Sequence, residues 1–200
     1  MSFLHLDLIG LITSVGYIGI FLTVFAESGL LIGVFLPGDS LLFTAGLLAS
    51  QGIFSITWLL LGCFLAAVIG DNVGYSFGHR IGPKIFTRED SLFFRKSYVI
   101  KTQHFYERYG SKVLVLARFI PVVRSLAPIL AGVGNMRYKV FFIYNVIGAF
   151  LWSVLVTLLG YYLGRWFPDV EKYLLLIVGC IILISIVPPM VELMKSRHHS

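Results

Sequence analysis

The chain has 200 residues, 58% of them hydrophobic and only 13% charged, with a mean hydropathy of +0.88. A soluble domain of this length is usually roughly half apolar and about a quarter charged, so the composition excludes an ordinary water-soluble fold and indicates a polytopic membrane protein. The net charge of +6 does not point to nucleic acid, because the basic residues cluster between apolar runs, where cytoplasmic loops carry them.

Residues 8–26 are apolar and uncharged, and Glu27 interrupts them. Val24-Phe25-Ala26 loosely imitates a signal-peptide cleavage site. However, residues 1–7 hold no Lys or Arg and the apolar stretch is long for a signal, so the segment is expected to be retained. Residues 28–36 are apolar again, Pro37-Gly38-Asp39 makes a break, and residues 40–49 resume. Neither flank of the break can cross about 30 Å of hydrocarbon as an upright helix, so the two arms are expected to form a re-entrant hairpin.

Residues 53–79 form the first clean span. Between residues 80 and 112 the chain holds eight basic residues and three acidic ones, an extramembrane and cytoplasmic loop by the positive-inside rule. Within it, residues 98–109 have an amphipathic pattern suited to the membrane surface. Residues 113–136 are apolar but broken in the middle, and residues 140–163 are a second clean span. Residues 173–194 are a third, with Pro188-Pro189 near its end and Lys195 and Arg197 beyond it on the cytoplasmic side. Cys63 and Cys180 lie inside apolar runs, where packing and not a disulfide framework is expected.

An ungapped shift of 86 residues superimposes two parts of the chain. Residues 45–78 match residues 131–164 at nine of 34 positions: Ala45, Gly46, Gly62, Phe64, Leu65, Val68, Gly74, Tyr75 and Gly78. With residue 80 inside, the first hairpin must enter from outside and the second from inside, so the repeats are inverted. Inverted repeats with broken segments near the midplane are a transporter signature. This scheme places Arg165 and Lys172 outside, balanced by Asp169 and Glu171, and the N-terminus outside.

The predicted fold is therefore a single all-α membrane domain over residues 1–200. It comprises repeat 1 at about 10–80, the basic loop 80–112, repeat 2 at about 113–165 and a C-terminal helix at 173–194. Self-association is compatible with such a chain.

The stretch LARFIPVVRSLAPILAG (116–132) carries two membrane liabilities, arginine and proline. An arginine at the centre of a lipid-facing helix costs roughly 2.5–3.5 kcal/mol on the gentlest scale, so Arg118 and Arg124 need partners or a wet cavity. The first hairpin offers Glu27 and Asp39, and the expected arrangement sets Arg118 and Arg124 against them across a pseudo-twofold axis. Asp71 is a third candidate, or else a helix-packing acid partnered by Asn72 and His79. Pro121 and Pro128 should stop a regular helix, which frees backbone groups that membrane depth tolerates only beside protein or water. Pro37 does the same in the first hairpin.

The product would be a polar cavity at two hairpin tips, with helix ends that favour an anion. Paired arginines suit phosphate, and Phe-, Leu- and Val-rich walls suit a lipid tail. A phosphate-headed lipid is the expected substrate. When its phosphate takes the arginines, Glu27 and Asp39 lose their partners and bind protons more readily, which would couple proton to lipid movement. The competing reading is that the charged pairs only lock the hairpins together. Tyr75 and Tyr161 are expected to be packing residues and interfacial anchors. Gly74/Gly78 and Gly160/Gly164 are expected to permit close helix approach.

Glu27 followed by FLPGD (35–39), GDNVGYSFGHRIG (70–82) and ARFIPVVRSLAPILAGVGNM (117–136) resemble the DedA family, also described as the SNARE-associated Golgi protein or VTT-domain family. The resemblance covers roughly residues 10–190. It implies two facing re-entrant hairpins and the movement or scrambling of lipids. For a bacterial member it implies undecaprenyl phosphate recycling, proton-dependent membrane homeostasis and an inner-membrane location. It also implies functional roles for Glu27, Asp39, Arg118 and Arg124.

An enzyme such as a lipid phosphatase is disfavoured, because His5, His79, His104, His198 and His199 all lie near chain ends or the basic loop, away from the arginines. A proton-coupled cation or drug exporter using Glu27 and Asp39 is the alternative, as is a broad phospholipid scramblase or a membrane scaffold. No His, Cys or carboxylate spacing suggests a metal, and no cofactor is expected.

Overall fold

The computed structural model describes residues 8–30, 36, 38–85 and 110–166. Among them the secondary structure is entirely helical: α1 (Leu8–Gly29), α2 (Gly38–Ser50), α3 (Ile56–Ile85), α4 (Val113–Ala117), α5 (Pro121–Val133) and α6 (Tyr138–Trp166). Pro37, the amphipathic stretch 98–109, Cys180 and the span expected at 173–194 lie outside the described residues.

Among the described residues two helices are long and apolar enough to cross a membrane, Ile56–Ile81 with 26 residues and Tyr138–Trp166 with 29. At 1.5 Å per residue they measure about 39 and 43 Å, more than the roughly 30 Å of hydrocarbon. Their exposed faces are apolar. Trp58, Leu61, Leu65 and Ile69 line one side of α3, and Ile143, Ile147, Leu151, Leu155 and Leu159 recur every four residues along α6. The buried faces instead carry small and polar residues: Ala66, Ala67 and Asp71 on α3, and Asn145, Ala149, Ser153 and Thr157 on α6. That inversion suits helices bathed in lipid, where association comes from close backbone contact and internal polar bonds.

Helices α2 and α5 end where the sequence supplies a residue that accepts positive φ. At the end of α2, Ile53 N–H donates to Leu48 O and Gly52 N–H to Ala49 O, with Gly52 at φ 82°. At the end of α5, Met136 N–H donates to Ala131 O and Asn135 N–H to Gly132 O, with Asn135 at φ 55°. Both are Schellman closures, which satisfy the last carbonyls of a helix. Between α4 and α5 the chain makes a short turn at 118–120, and Pro121 opens α5 at a position where its missing N–H costs nothing.

α1 runs through Glu27 to Gly29. One expected interruption does not occur, since α5 runs through Pro128 to Val133. Glu27 is neutralised by an arginine, so its charge gives the helix no reason to stop. Pro128 sits within a packed crossing that holds the helix on course. Its ring contributes no N–H to the carbonyl of Arg124, four residues earlier.

The chain divides into two compact units that interleave in sequence. The first comprises residues 1–24, 37–63 and 153–200, and the second residues 25–36 and 64–152. In the first, α2 crosses the C-terminal half of α6. A methyl group on Gly46 would overlap the carbonyl of Thr157, and one on Gly160 would overlap the carbonyl of Phe43. Tyr17 meets Phe54 edge-on at 5.0 Å and accepts the N–H of Ser55, the residue before α3, at 2.6 Å.

In the second unit, α5 crosses the C-terminal half of α3 in the same manner. A methyl group on Gly132 would overlap the carbonyl of Tyr75, and one on Gly78 would overlap that of Ile129. A core of Tyr75, Leu114, Ala117, Ala127, Ala131 and Phe141 fills the space beside this crossing. Tyr75 stacks on Phe141 at 4.4 Å and donates its hydroxyl to Met136 O at 2.5 Å, so it is a core residue and not an interfacial anchor. Phe64 and Phe150, which the 86-residue shift superimposes, touch edge-to-face at 6.0 Å.

Candidate functional site

The second unit gathers four buried charges. Glu27 is 2% exposed, Asp71 3%, Arg118 6% and Arg124 8%. Each comes from a different local setting: Glu27 from the last turns of α1, Asp71 from the middle of α3, Arg118 from the turn after α4, and Arg124 from the first turn of α5. The break at 118–120 matters here. It lets two arginines six positions apart leave the backbone from separate segments and still reach one cavity.

Arg118 forms an ion pair through Nη2 with Asp71 Oδ2. The same Nη2 donates to Asn145 Oδ1 on α6 at 2.5 Å, and Asn145 Nδ2 donates to the Val68 carbonyl of α3 at 3.2 Å. A notch receives the arginine stem: a Cβ on Gly148 would lie 2.8 Å from Arg118 Cδ and 3.0 Å from Nε. Any larger residue at 148 would displace the side chain.

Arg124 pairs through Nη2 with Glu27 Oε1, and its guanidinium lies 4.7 Å from the ring centre of the buried Trp152. The ring face supplies electron density where water is absent. Glu27 Oε2 is buried without a hydrogen-bond partner among the described residues. The close approach of α1 to α3 that places Glu27 depends on glycine. A Cβ on Gly29 would come 2.5 Å from Gly70 O, and one on Gly70 would come 2.5 Å from Phe25 O.

A cavity lies between the two arginines, lined by Asp71, Leu114, Arg118, Arg124, Ala127, Pro128, Phe141 and Asn145. It measures about 10 Å³, the limit for a single water molecule. In this conformation both guanidiniums are occupied by protein groups, and no room remains for a phosphate.

The expected partners of Arg118 are thereby revised. Its carboxylate is Asp71 on α3, not Glu27 or Asp39. Arg124 does meet Glu27. Asp39 stands in the first turn of α2, in the first unit, where a helix N-terminus favours a negative charge. Pro121 opens α5, and Pro37 lies outside the described residues. Asn145, Gly148 and Trp152 were not singled out from the sequence. Asn145 carried a signal: it is a polar amide inside an otherwise apolar span, and such residues usually face the interior. Gly148 was visible only as a repeat position matching Gly62, and nothing marked Trp152.

Among the described residues no group of His, Cys, Asp and Glu is arranged to hold a metal ion. Chemically, the site offers two anion-binding guanidiniums, each masked by a carboxylate, in an apolar surround.

Comparison with known proteins places the chain among related sequences. The family model described as the VTT domain matches residues 36–162. Protein DedA of Escherichia coli K12 is 43% identical over 201 residues, covering 97% of this chain and 91% of the relative. An uncharacterized membrane protein of Mycobacterium tuberculosis is 44% identical over 176 residues, 87% of this chain and 77% of the relative. Inner membrane protein YqjA of Escherichia coli K12 is 32% identical over 171 residues, 86% of this chain and 77% of the relative. No solved structure matches the chain.

Proposed function

The chain belongs to the DedA family of membrane proteins, which the VTT domain defines, and we propose that it moves a phosphate-headed lipid, undecaprenyl phosphate, across the bacterial inner membrane. The observation that carries this reading is the pair of buried arginines facing one cavity, each covered by a carboxylate. Purely structural ion pairs need no shared cavity. A phosphate binding site needs donors that converge on one point, and guanidiniums provide that geometry.

In the proposed mechanism the helices around the cavity part and admit a lipid phosphate between Arg118 and Arg124. The phosphate replaces Asp71 and Glu27 on the guanidiniums. The released carboxylates are then uncompensated in an apolar setting, so they take up protons. Glu27 Oε2, buried without a hydrogen-bond partner among the described residues, is the natural site for such a proton. The reading also keeps Asp39, in the first turn of α2, as a transport residue. When the lipid leaves, the ion pairs re-form and the protons depart, which ties the two movements together.

The reading takes the α1–α2 and α4–α5 segments as re-entrant hairpins of opposite orientation. Support comes from two features. The hairpin arms α2 and α5 make matching glycine crossings on α6 and α3. Phe64 and Phe150, equivalent by the 86-residue shift, touch each other, as residues beside a twofold axis do. Inner-membrane placement follows the name of the relative YqjA.

The test is reconstitution into liposomes containing a prenyl phosphate, with leaflet exchange followed with and without a pH gradient. Protein-dependent exchange that is stronger for the phosphate than for the matching prenyl alcohol is expected. Equal exchange of both would discard phosphate recognition.

A further inference from the structure

Resting on the lipid-phosphate reading, we propose that Asn145 is a substrate-binding residue whose amide oxygen holds the place on Arg118 that a phosphate oxygen takes during transport. It is one of two groups on the same Nη2, the other being Asp71. Displacing an amide from an arginine gives up a neutral acceptor, whereas displacing Asp71 strands a charge, so Asn145 is the first group to yield. Its other end, Nδ2, donates to the Val68 carbonyl at 3.2 Å, and that carbonyl also accepts from Asn72 Nδ2 at 2.7 Å, so Asn145 can release the bond without orphaning its partner. The terminal amide torsion is broad, so a modest rotation turns that donor toward the arriving phosphate. Asn145 thus exchanges an acceptor for a donor as the site changes from closed to loaded, which a carboxylate at the same position cannot do.

Asn145→Ala and Asn145→Asp, in the full chain reconstituted with graded amounts of prenyl phosphate, test this. Asn145→Ala should raise the half-saturating lipid fraction by about tenfold, the worth of one charge-assisted hydrogen bond, with a smaller effect on the maximal rate. Asn145→Asp keeps an acceptor for Arg118 but offers no amide donor to a phosphate, so it should still fold in detergent yet fail to transport at any lipid fraction. Unchanged half-saturation in Asn145→Ala, or wild-type transport by Asn145→Asp, would overturn the role. If wild type itself does not move the prenyl phosphate, the proposed function falls and takes this inference with it; normal wild-type transport with indifferent variants removes only the inference.

An independent observation concerns register. The 86-residue shift superimposes α2 on α5 and the C-terminal half of α6 on that of α3. Gly46 rides over Thr157 and Tyr161, whose repeat equivalents are Asp71 and Tyr75. Gly132, the equivalent of Gly46, rides instead over Tyr75 and His79. The two otherwise matching crossings are therefore one helical turn apart, about 5.4 Å. Each long helix carries two glycine notches at this spacing, Gly74/Gly78 and Gly160/Gly164, and each arm uses a different one as its main seat.

The geometry points to a second conformation in which the registers are exchanged: Gly132 moves from Gly78 to Gly74, and Gly46 from Gly160 to Gly164. A one-turn ratchet of one element past another is an established kind of two-state switch. It would carry α5 onto the turn that bears Asp71, coupling arm position to the Arg118 ion pair.

Gly74→Ala distinguishes the two registers. In the observed one its Cβ lies 3.2 Å from Gly29 O and 3.4 Å from Ile129 Cγ1, a contact that small adjustments relieve. In the exchanged register the same methyl group would meet the backbone of α5. Spin labels at the exposed positions Val123 and Phe77 report the slide by pulsed dipolar spectroscopy. Two distance populations, differing by about one helical rise per turn, are expected in wild type, and one in Gly74→Ala, which should remain folded and lose transport. A single population in both proteins, or full transport by Gly74→Ala, would refute the exchange.

Discussion

Arg118 of the turn after α4 is bound to Asp71 of α3, and both side chains are buried. The pair fixes the broken segment against a membrane-length helix and keeps a guanidinium in an apolar interior. Breaking a buried pair by removing one partner costs about 3–5 kcal/mol, because the survivor is left uncompensated. Asp71→Asn should therefore lower thermal stability in detergent by an amount in that range and abolish transport. The charge-exchanged double variant, Asp71→Arg with Arg118→Asp, should regain stability more than transport. Stability equal to wild type in Asp71→Asn would show that the pair does not hold the fold.

Arg124 offers a contrast, since it has both a carboxylate and an aromatic face. Trp152→Leu should cost about 0.5–2 kcal/mol through loss of the cation–π contact, in addition to the lost ring packing. A double-mutant cycle with Arg124→Met separates the two contributions. A coupling energy of zero would mean that the ring serves only as filler.

Gly148 is the simplest steric test. Gly148→Ala would place a methyl group 2.8 Å from Arg118 Cδ, which pushes the guanidinium away from Asp71 and Asn145. Overpacking of this kind typically costs about 1–3 kcal/mol. Transport should fall more steeply than stability, as measured by exchange assays beside thermal unfolding. Gly62→Ala, at the repeat-related position, meets the ring of Phe21 instead and should affect stability without the same selectivity for the site.

Glu27→Gln tests the proton link. The amide keeps an oxygen for Arg124 but cannot change charge. Downhill exchange of the lipid should continue while its response to a pH gradient disappears. An intact response would move the proton site away from Glu27, with Asp39 the next residue to replace.

Much of this architecture was legible along the chain. Membrane-length apolar runs set α3 and α6, and their limits moved by only a few residues between sequence and structure. The paired liabilities in 116–132 announced a broken, protein-lined segment, because arginine and proline at membrane depth need partners wherever they occur. Proline position was legible only in part. Pro121 starts a helix because its missing N–H is unneeded there, while Pro128 passes through one because the crossing with α3 holds the backbone on either side.

Residue types and their spacing along the chain determined that this is an all-helical membrane protein with buried arginines requiring acidic partners. Those properties follow from local composition and the energy of placing charge in hydrocarbon. Tertiary structure alone decided which acid each arginine meets, since Asp39, Asp71 and Glu27 were equally acidic on paper. The choice depends on glycine contacts that bring α1 against α3 and on the notch at Gly148 that sets Arg118 within reach of Asp71 and Asn145. Such contacts join residues far apart in sequence, and their distances depend on how helices cross, which no linear pattern encodes.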